Sequence, residues 1–122
     1  MCYLIGMSQQ PLPQPDADQI SLPNVLTALG DQTRLAIIGH LAREEARGLT
    51  CGQFTDLASK TSITYHVARL REAGVVRVQP EGTRRRLTLR RADLDARFPG
   101  FLDSIIASTA DLPPLEGYEP ED

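Results

Sequence analysis

The chain has no tryptophan, two cysteines, two histidines, three phenylalanines and three tyrosines in 122 residues. Cys2 and Cys51 cannot build a disulfide framework, nor a structural zinc site by themselves. With only His40 and His66 to add, metal chemistry has few ligands to draw on, and no metal or cofactor is expected. No apolar run approaches the length that spans a bilayer. The opening MCYLIGM is apolar but short and has no basic flank, so it does not read as a signal peptide, and Met7 is a candidate start. A cytoplasmic protein is the expectation. Catalytic signatures are missing too: there is no glycine-rich phosphate loop, no HExxH and no GxSxG, so an enzyme is not expected.

Positive charge is scarce overall and unevenly placed. The formal net charge is −3, yet nine basic residues face two acidic ones between Lys60 and Arg91. Elsewhere, four basic residues face fourteen acidic ones. Such asymmetry points to a polyanion-facing surface on an acidic body. The alternative is a solvated face whose arginines pair with acids from other parts of the chain.

The length suits a single domain with one modest core. Residues 1–15 hold Pro11, Pro13 and Pro15 and little pattern, which suggests a flexible arm. Residues 111–122, DLPPLEGYEPED, are acidic and proline-rich and suggest a disordered tail. Between them, 16–110 reads as a folded domain. Ser21 can cap a helix carrying Leu22, Val25, Leu26 and Leu29, with Gly30 ending it. Asp31 caps the next, DQTRLAIIGHLARE, where Leu35, Ile38 and Leu41 face a core. Thr50 and Gln53 form a capping box for a further helix with Phe54, Leu57 and Ala58 on its apolar side. Ser59 caps the next helix, which Gly74 stops. Val76 and Val78, then Leu87 and Leu89, alternate with polar neighbours around a PEG turn, the pattern of a β-hairpin. Asp93–Phe98 makes a short helical segment, and Pro99 starts a last helix with Phe101, Leu102, Ile105 and Ile106 on one face. The fold class is therefore mostly α with a small β-hairpin, in the order of a winged helix-turn-helix with helical extensions at both ends.

A helix can enter the major groove only if one side is apolar and the other polar and not too bulky. In TSITYHVARLREAG, Ile63, Val67 and Leu70 cluster on one side, while Thr61, Tyr65, Ala68 and Arg69 look the other way, with Ser62 and Thr64 on the flanks. The Thr61 and Thr64 hydroxyls can meet base edges, and their methyls can touch a thymine methyl. Tyr65 can reach a base or phosphate, and Lys60 and Arg69 suit phosphate anchoring. In the hairpin, Arg84 and Arg85, nearest the turn, suit a narrow minor groove, whereas Arg86 can lie along the sheet.

The stretches TALGDQTRLAIIGHLARE, SKTSITYHVARLREAGVVR and EGTRRRLTL resemble the arsenical-resistance-type (ArsR) family of winged-helix repressors. ALGDQTRL matches the family's opening helix junction, and REAG followed by the hairpin matches its recognition-helix exit. The resemblance implies a homodimer on an inverted-repeat operator of double-stranded DNA, repressing transcription until an effector weakens binding. It also implies that the first and last helices form the dimer seam, which would occupy Leu22, Val25, Leu26, Leu29, Phe101, Leu102, Ile105 and Ile106. Packing within one domain is the plainer account of the same stripes. The chain departs from the family's metal sensors: in LTCGQF, Cys51 stands alone with Leu49 where a second thiol would be, and no histidine follows His66. Tyr65 also occupies a place where the family often has histidine.

Cys51, in the first turn of its expected helix, is a candidate redox or electrophile sensor, since helix amides favour a thiolate. A free cysteine as a small buried hydrophobe is the commoner case. His66 reads as a packed, hydrogen-bonded residue on the inner flank of its helix, and His40 has no evident role. Glu72 can pair with Arg69 at i, i+3. A winged helix used for protein–protein contact is the competing functional class, since fold alone does not fix function. A basic groove-facing helix and an arginine-bearing wing favour DNA.

Overall fold

The computed structural model describes residues 12–50, 53 and 60–111, with Lys60 and Thr61 described in their backbone alone. A 3-10 turn at Ala17–Gln19 leads into helices α1 (Leu22–Leu29) and α2 (Gln32–Arg43). Strand β1 (Leu49–Thr50), helix α3 (Lys60–Ala73), strands β2 (Val76–Glu81) and β3 (Arg84–Leu89), and helices α4 (Arg91–Arg97) and α5 (Phe101–Thr109) follow. The three strands form an antiparallel sheet in the order β1-β3-β2. This is the winged helix-turn-helix architecture that the sequence pattern predicts, with the β2–β3 hairpin as the wing.

Three helix ends are set by the residues expected to set them, whereas the last helix begins at Phe101 after a left-handed Gly100 and not at Pro99. Ser21 Oγ accepts the amide of Asn24, and Asp31 Oδ1 accepts the amide of Arg34 at 3.0 Å, each satisfying a donor that the first turn leaves over. At the far end of α3, Gly74 takes φ 87°, the Gly74 amide donates to Arg71 O and the Val75 amide donates to Leu70 O. That pair of bonds is the Schellman closure, which favours glycine at the left-handed position. A Cβ there would stand 2.5 Å from Ile20 Cγ1, so the chain both turns and packs tightly at this point.

The core is built from all layers. Val25, Ala28 and Leu29 of α1, Ile37, Ile38 and Leu41 of α2, and Ile63, Val67 and Leu70 of α3 meet Leu49, Val76, Val78 and Leu87 of the sheet, with Leu94 and Leu102 closing one end. Every residue of α2 from Ala36 to Leu41 is buried, so this helix is the central post rather than a half-exposed one. His40 lies in that buried run, and its Nδ1 accepts a bond from Arg43 at 3.0 Å.

Several expectations are corrected here. Residues 12–15, expected within a flexible arm over 1–15, make contacts with the domain, and residues 1–11 lie outside the described residues. The Gln14 side-chain amide donates to Val78 O and accepts from the Val78 amide at 2.9 Å, imitating one more rung on the edge strand β2. Pro13 O and Pro15 O accept from Arg71 and Arg90. The hairpin turn is Gly82-Thr83, because Pro80 and Glu81 are already paired with Arg85 and Arg84. Gly82 has φ 63°, as a two-residue turn with glycine first requires. The proline is tolerated because β2 is an edge strand. Thr50 lies in β1, and its amide donates to Gln53 Oε1 at 2.9 Å, which is one half of the expected capping box. Phe54, Leu57, Ala58 and Ser59 lie outside the described residues.

Candidate nucleic-acid interface

Helix α3 is amphipathic in the sense a groove-reading helix needs. Ile63, Val67, Leu70 and Ala73 are buried, while Ser62, Tyr65, Arg69 and Glu72 form an exposed row at three- and four-residue spacing. Thr64 lies half-buried on the flank of that row. Tyr65 is 57% exposed, one of three large apolar-bodied side chains so placed among the described residues. Its ring stands between two guanidinium groups, Arg34 at 6.0 Å and Arg69 at 5.7 Å from the centroid. Arg69 also pairs with Glu72, the i, i+3 bridge that the spacing predicts. The side chains of Lys60 and Thr61 are outside the described residues, as is Cys51.

On the wing, strand alternation divides the three arginines. Arg84 is exposed beside the turn, and its positive charge helps hold the Glu81 carboxyl below the usual carboxylate range, with the Arg86 hydrogen bond the larger cause. Arg85 is 1% exposed and faces inward with Leu87, so it is not a groove contact, contrary to expectation. Arg86 lies along the sheet: its Nε and Nη2 donate to the two Glu81 oxygens at 2.8 and 2.9 Å, and its Nη1 donates to Arg47 O. Wing charge offered outward therefore comes from Arg84.

Much of the remaining basic run is internally neutralised. Arg77 and Arg90 share Asp93 at 3.6 and 2.9 Å. Arg91 binds Glu45 of the α2–β1 connection and Asp103 of α5, and these acids raise its pKa. The contrast between basic run and acidic body is thus spent partly on tying α4 and α5 to the rest of the domain.

A cleft of about 350 Å³ opens beside the outer row of α3, lined by Asn24, Thr27, Ala28, Arg34, Tyr65, Arg69, Glu72 and Ala73. Arg34 Nε and Nη1 are buried and have no hydrogen-bond partner among the described residues. Nothing in the sequence pattern marks Arg34, because a single arginine in the first turn of a core helix carries no periodic signal. Only the packing of α2 against α3 brings it beside Tyr65. His66, behind Tyr65 and edge-on to it, has Nδ1 3.9 Å from Asp31 Oδ1, without the hydrogen bond expected for it. Burial lowers its pKa, Asp31 opposes that shift, and Arg34 adds to it.

The apolar stripes divide in the same way. Val25, Leu29 and Leu102 are buried within the protomer, so they form its core and not a dimer seam. Leu22 (40% exposed) and Leu26 (51% exposed) point away from that core. Phe101, Ile105 and Ile106 are partly buried against it.

Residues 29–79 match the family described as helix-turn-helix domain, a span covering α2, α3 and the first part of the wing. The chain is 33% identical over 90 residues to the uncharacterized HTH-type transcriptional regulator YceK of Bacillus subtilis (strain 168), covering 72% of this chain and 88% of that protein. Among the described residues no helix is long and apolar enough to cross a membrane. An outward polar row on a locked helix, a wing with an exposed arginine at its tip and these two likenesses agree, and the chain belongs to the HTH-type transcriptional regulators, proteins that bind DNA.

Proposed function

We propose that the protein is a homodimeric, sequence-specific repressor of the ArsR type, which binds an inverted-repeat operator and is released by a small effector or by thiol chemistry at Cys51. The observation that carries this reading is the exposed row Ser62, Tyr65, Arg69 on a helix whose opposite face is locked into the core. Thr64, with Lys60 and Thr61 at the start of the same helix, completes the groove-facing set. Phosphates are taken by Arg69 and Lys60, bases are read by the hydroxyls and Tyr65, and Arg84 reaches the flanking minor groove. Exposed Leu22 and Leu26, with the half-covered Phe101, Ile105 and Ile106, supply the dimer seam. A two-fold dimer then sets its recognition helices in successive major grooves, roughly 34 Å apart.

The experiment is a fluorescence-anisotropy titration of the full chain against a duplex from its own promoter and a scrambled duplex, at two ionic strengths. The expected result is tighter binding to the promoter and steep weakening with salt. Equal indifference to both duplexes at low salt would refute the reading and favour the protein–protein class. A Cys51→Ser variant that keeps an oxidant response would remove the thiol branch and leave a bound effector.

A further inference from the structure

The Arg34 cleft is not used by the groove-reading row, yet it shares three residues with it. Tyr65, Arg69 and Glu72 form one wall, and Asn24, Thr27 and Ala28 of α1 form the other. At the back stands Arg34, with two buried N–H-bearing nitrogens that meet no acceptor among the described residues. A guanidinium so placed is costly to leave unsatisfied, because desolvation is paid without a compensating bond. Glu72 is the acid among the lining residues, and it is held by Arg69 and by Arg71 at 3.6 Å. The Asp31 carboxylate near Arg34 is engaged as the cap of α2. Arg34 is thus the lining cation without an ion pair to a lining carboxylate, its charge felt by the nearby Asp31 carboxylate and the Tyr65 ring. Asn24 and Thr27 are exposed on the rim.

We propose that this cleft is a phosphate site: Arg34 receives an oxyanion at the edge of the recognition helix, with Asn24 and Thr27 as its polar wall. The phosphate belongs to the backbone of the bound duplex, next to the bases that α3 reads. The site therefore rests on the DNA-binding reading above and adds a register-setting contact, from α1 and α2, to those of α3 and the wing. Phosphate contacts fix orientation on the duplex, and one beside Tyr65 would hold that ring against the groove. The Tyr65 ring is 57% exposed and meets ring and guanidinium neighbours, His66, Arg34 and Arg69, so an oxyanion approaches Arg34 along its edge.

The test measures duplex affinity over a salt series for the wild type, Arg34→Gln and Asn24→Asp, together with thermal melts. Removing one phosphate contact lowers the slope of log K against log salt by about 0.9 per engaged protomer, and weakens binding about eightfold at 0.1 M salt. Asn24 sits at the third position of α1, where its amide meets the Ser21 cap, so a carboxylate there suits the helix end and the melt should hold or rise. The same carboxylate repels a phosphate in the cleft and should weaken duplex binding, at most about fivefold for a water-screened pair of charges in contact. Should Arg34→Gln fail to fold, Asn24→Asp decides the matter. A parallel titration with inorganic phosphate alone, followed by the Arg34 Nε–H resonance, separates the sources. Saturation that Asn24→Asp weakens would assign the site to a free oxyanion and still support it. A wild type that binds duplex while both variants keep its slope and affinity, with no response to phosphate, overturns the site alone. A wild type that ignores duplex overturns the DNA-binding reading, and the duplex assignment with it.

Discussion

Arg84→Ala and Arg85→Ala differ by one position and should fail in different ways. Side chains of β3 alternate, so Arg84 stands exposed at the wing tip and Arg85 is 1% exposed on the inner face. Truncating Arg84 removes a cation that would neutralise one phosphate per engaged protomer. For duplex DNA each such contact contributes about 0.9 to the salt slope. The loss should therefore be about eightfold at 0.1 M salt, shrinking to three- or fourfold near 0.25 M, with the melting temperature unchanged. Truncating Arg85 removes a fully buried guanidinium that has an interaction partner, and breaking a buried charged contact costs about 3–5 kcal/mol. That variant should melt earlier, while its folded fraction keeps the wild-type slope. Anisotropy at four salt concentrations and circular-dichroism melts of both variants settle the comparison. Equal loss of slope in the two variants would mean that both arginines reach the duplex, and the strand would have to be turned or frayed at its start.

Gly74→Ala should destabilise by about 2–4 kcal/mol, combining left-handed strain with the Ile20 clash, and lower the melting temperature by roughly 8 °C or more. Leu26→Glu should leave the protomer folded, since Leu26 is exposed, but yield a monomer by sedimentation equilibrium with weakened duplex binding; Val25→Glu, at a fully buried site, should not fold. Stability should fall on acidification below pH 6.5, because burial lowers the pKa of both His40 and His66 from their ordinary 6.5. In that range the unfolded chain binds more protons than the folded one, so unfolding gains with each step down in pH, and the contribution is fully present above 6.5. Urea midpoints measured from pH 7.5 to 5 check the sign, and a flat profile would contradict the desolvation of buried His40 and half-buried His66.

What the sequence made legible is what repeats or punctuates. Val67 and Leu70 recur with Ile63 at helical spacing, Asp31 and Ser21 announce helix starts, and Gly74 announces a stop, so the helices around the recognition element were readable in order. β1 was not, because two residues carry no period and Leu49–Thr50 is a strand only through its pairing with Leu87 and Arg86. The stripe Leu22, Val25, Leu26, Leu29 reads as one apolar face, yet Val25 and Leu29 turn inward while Leu22 and Leu26 turn out. Apolar composition says that a residue seeks cover and does not say whose. Arg85 was within reach of the same logic: it lies two residues before Leu87, hence on the inner face, but the run of three arginines masked the alternation. Arg34 was out of reach, since its importance arises from a neighbour thirty-one positions away.

The ion pairs bear on how strongly this regulator can hold DNA. Nine basic residues between Lys60 and Arg91 would suggest many phosphate contacts per protomer. Arg85 is inside, Arg86 is clamped by Glu81, and Arg77, Arg90 and Arg91 answer to Asp93, Glu45 and Asp103. Arg69 must be drawn from Glu72 before it can serve a phosphate, an exchange of one exposed pairing for another that yields little net energy. Arg84 and Arg34 are the described cations with the least to give up. A protein arranged in this way gains modest non-specific affinity, and its acidic remainder repels the duplex elsewhere. On the proposed reading, preference for one sequence over another comes from the short row of Ser62, Thr64 and Tyr65, where a mismatched base costs about 1–3 kcal/mol. Low background binding with a few discriminating contacts would suit the releasable repressor proposed above.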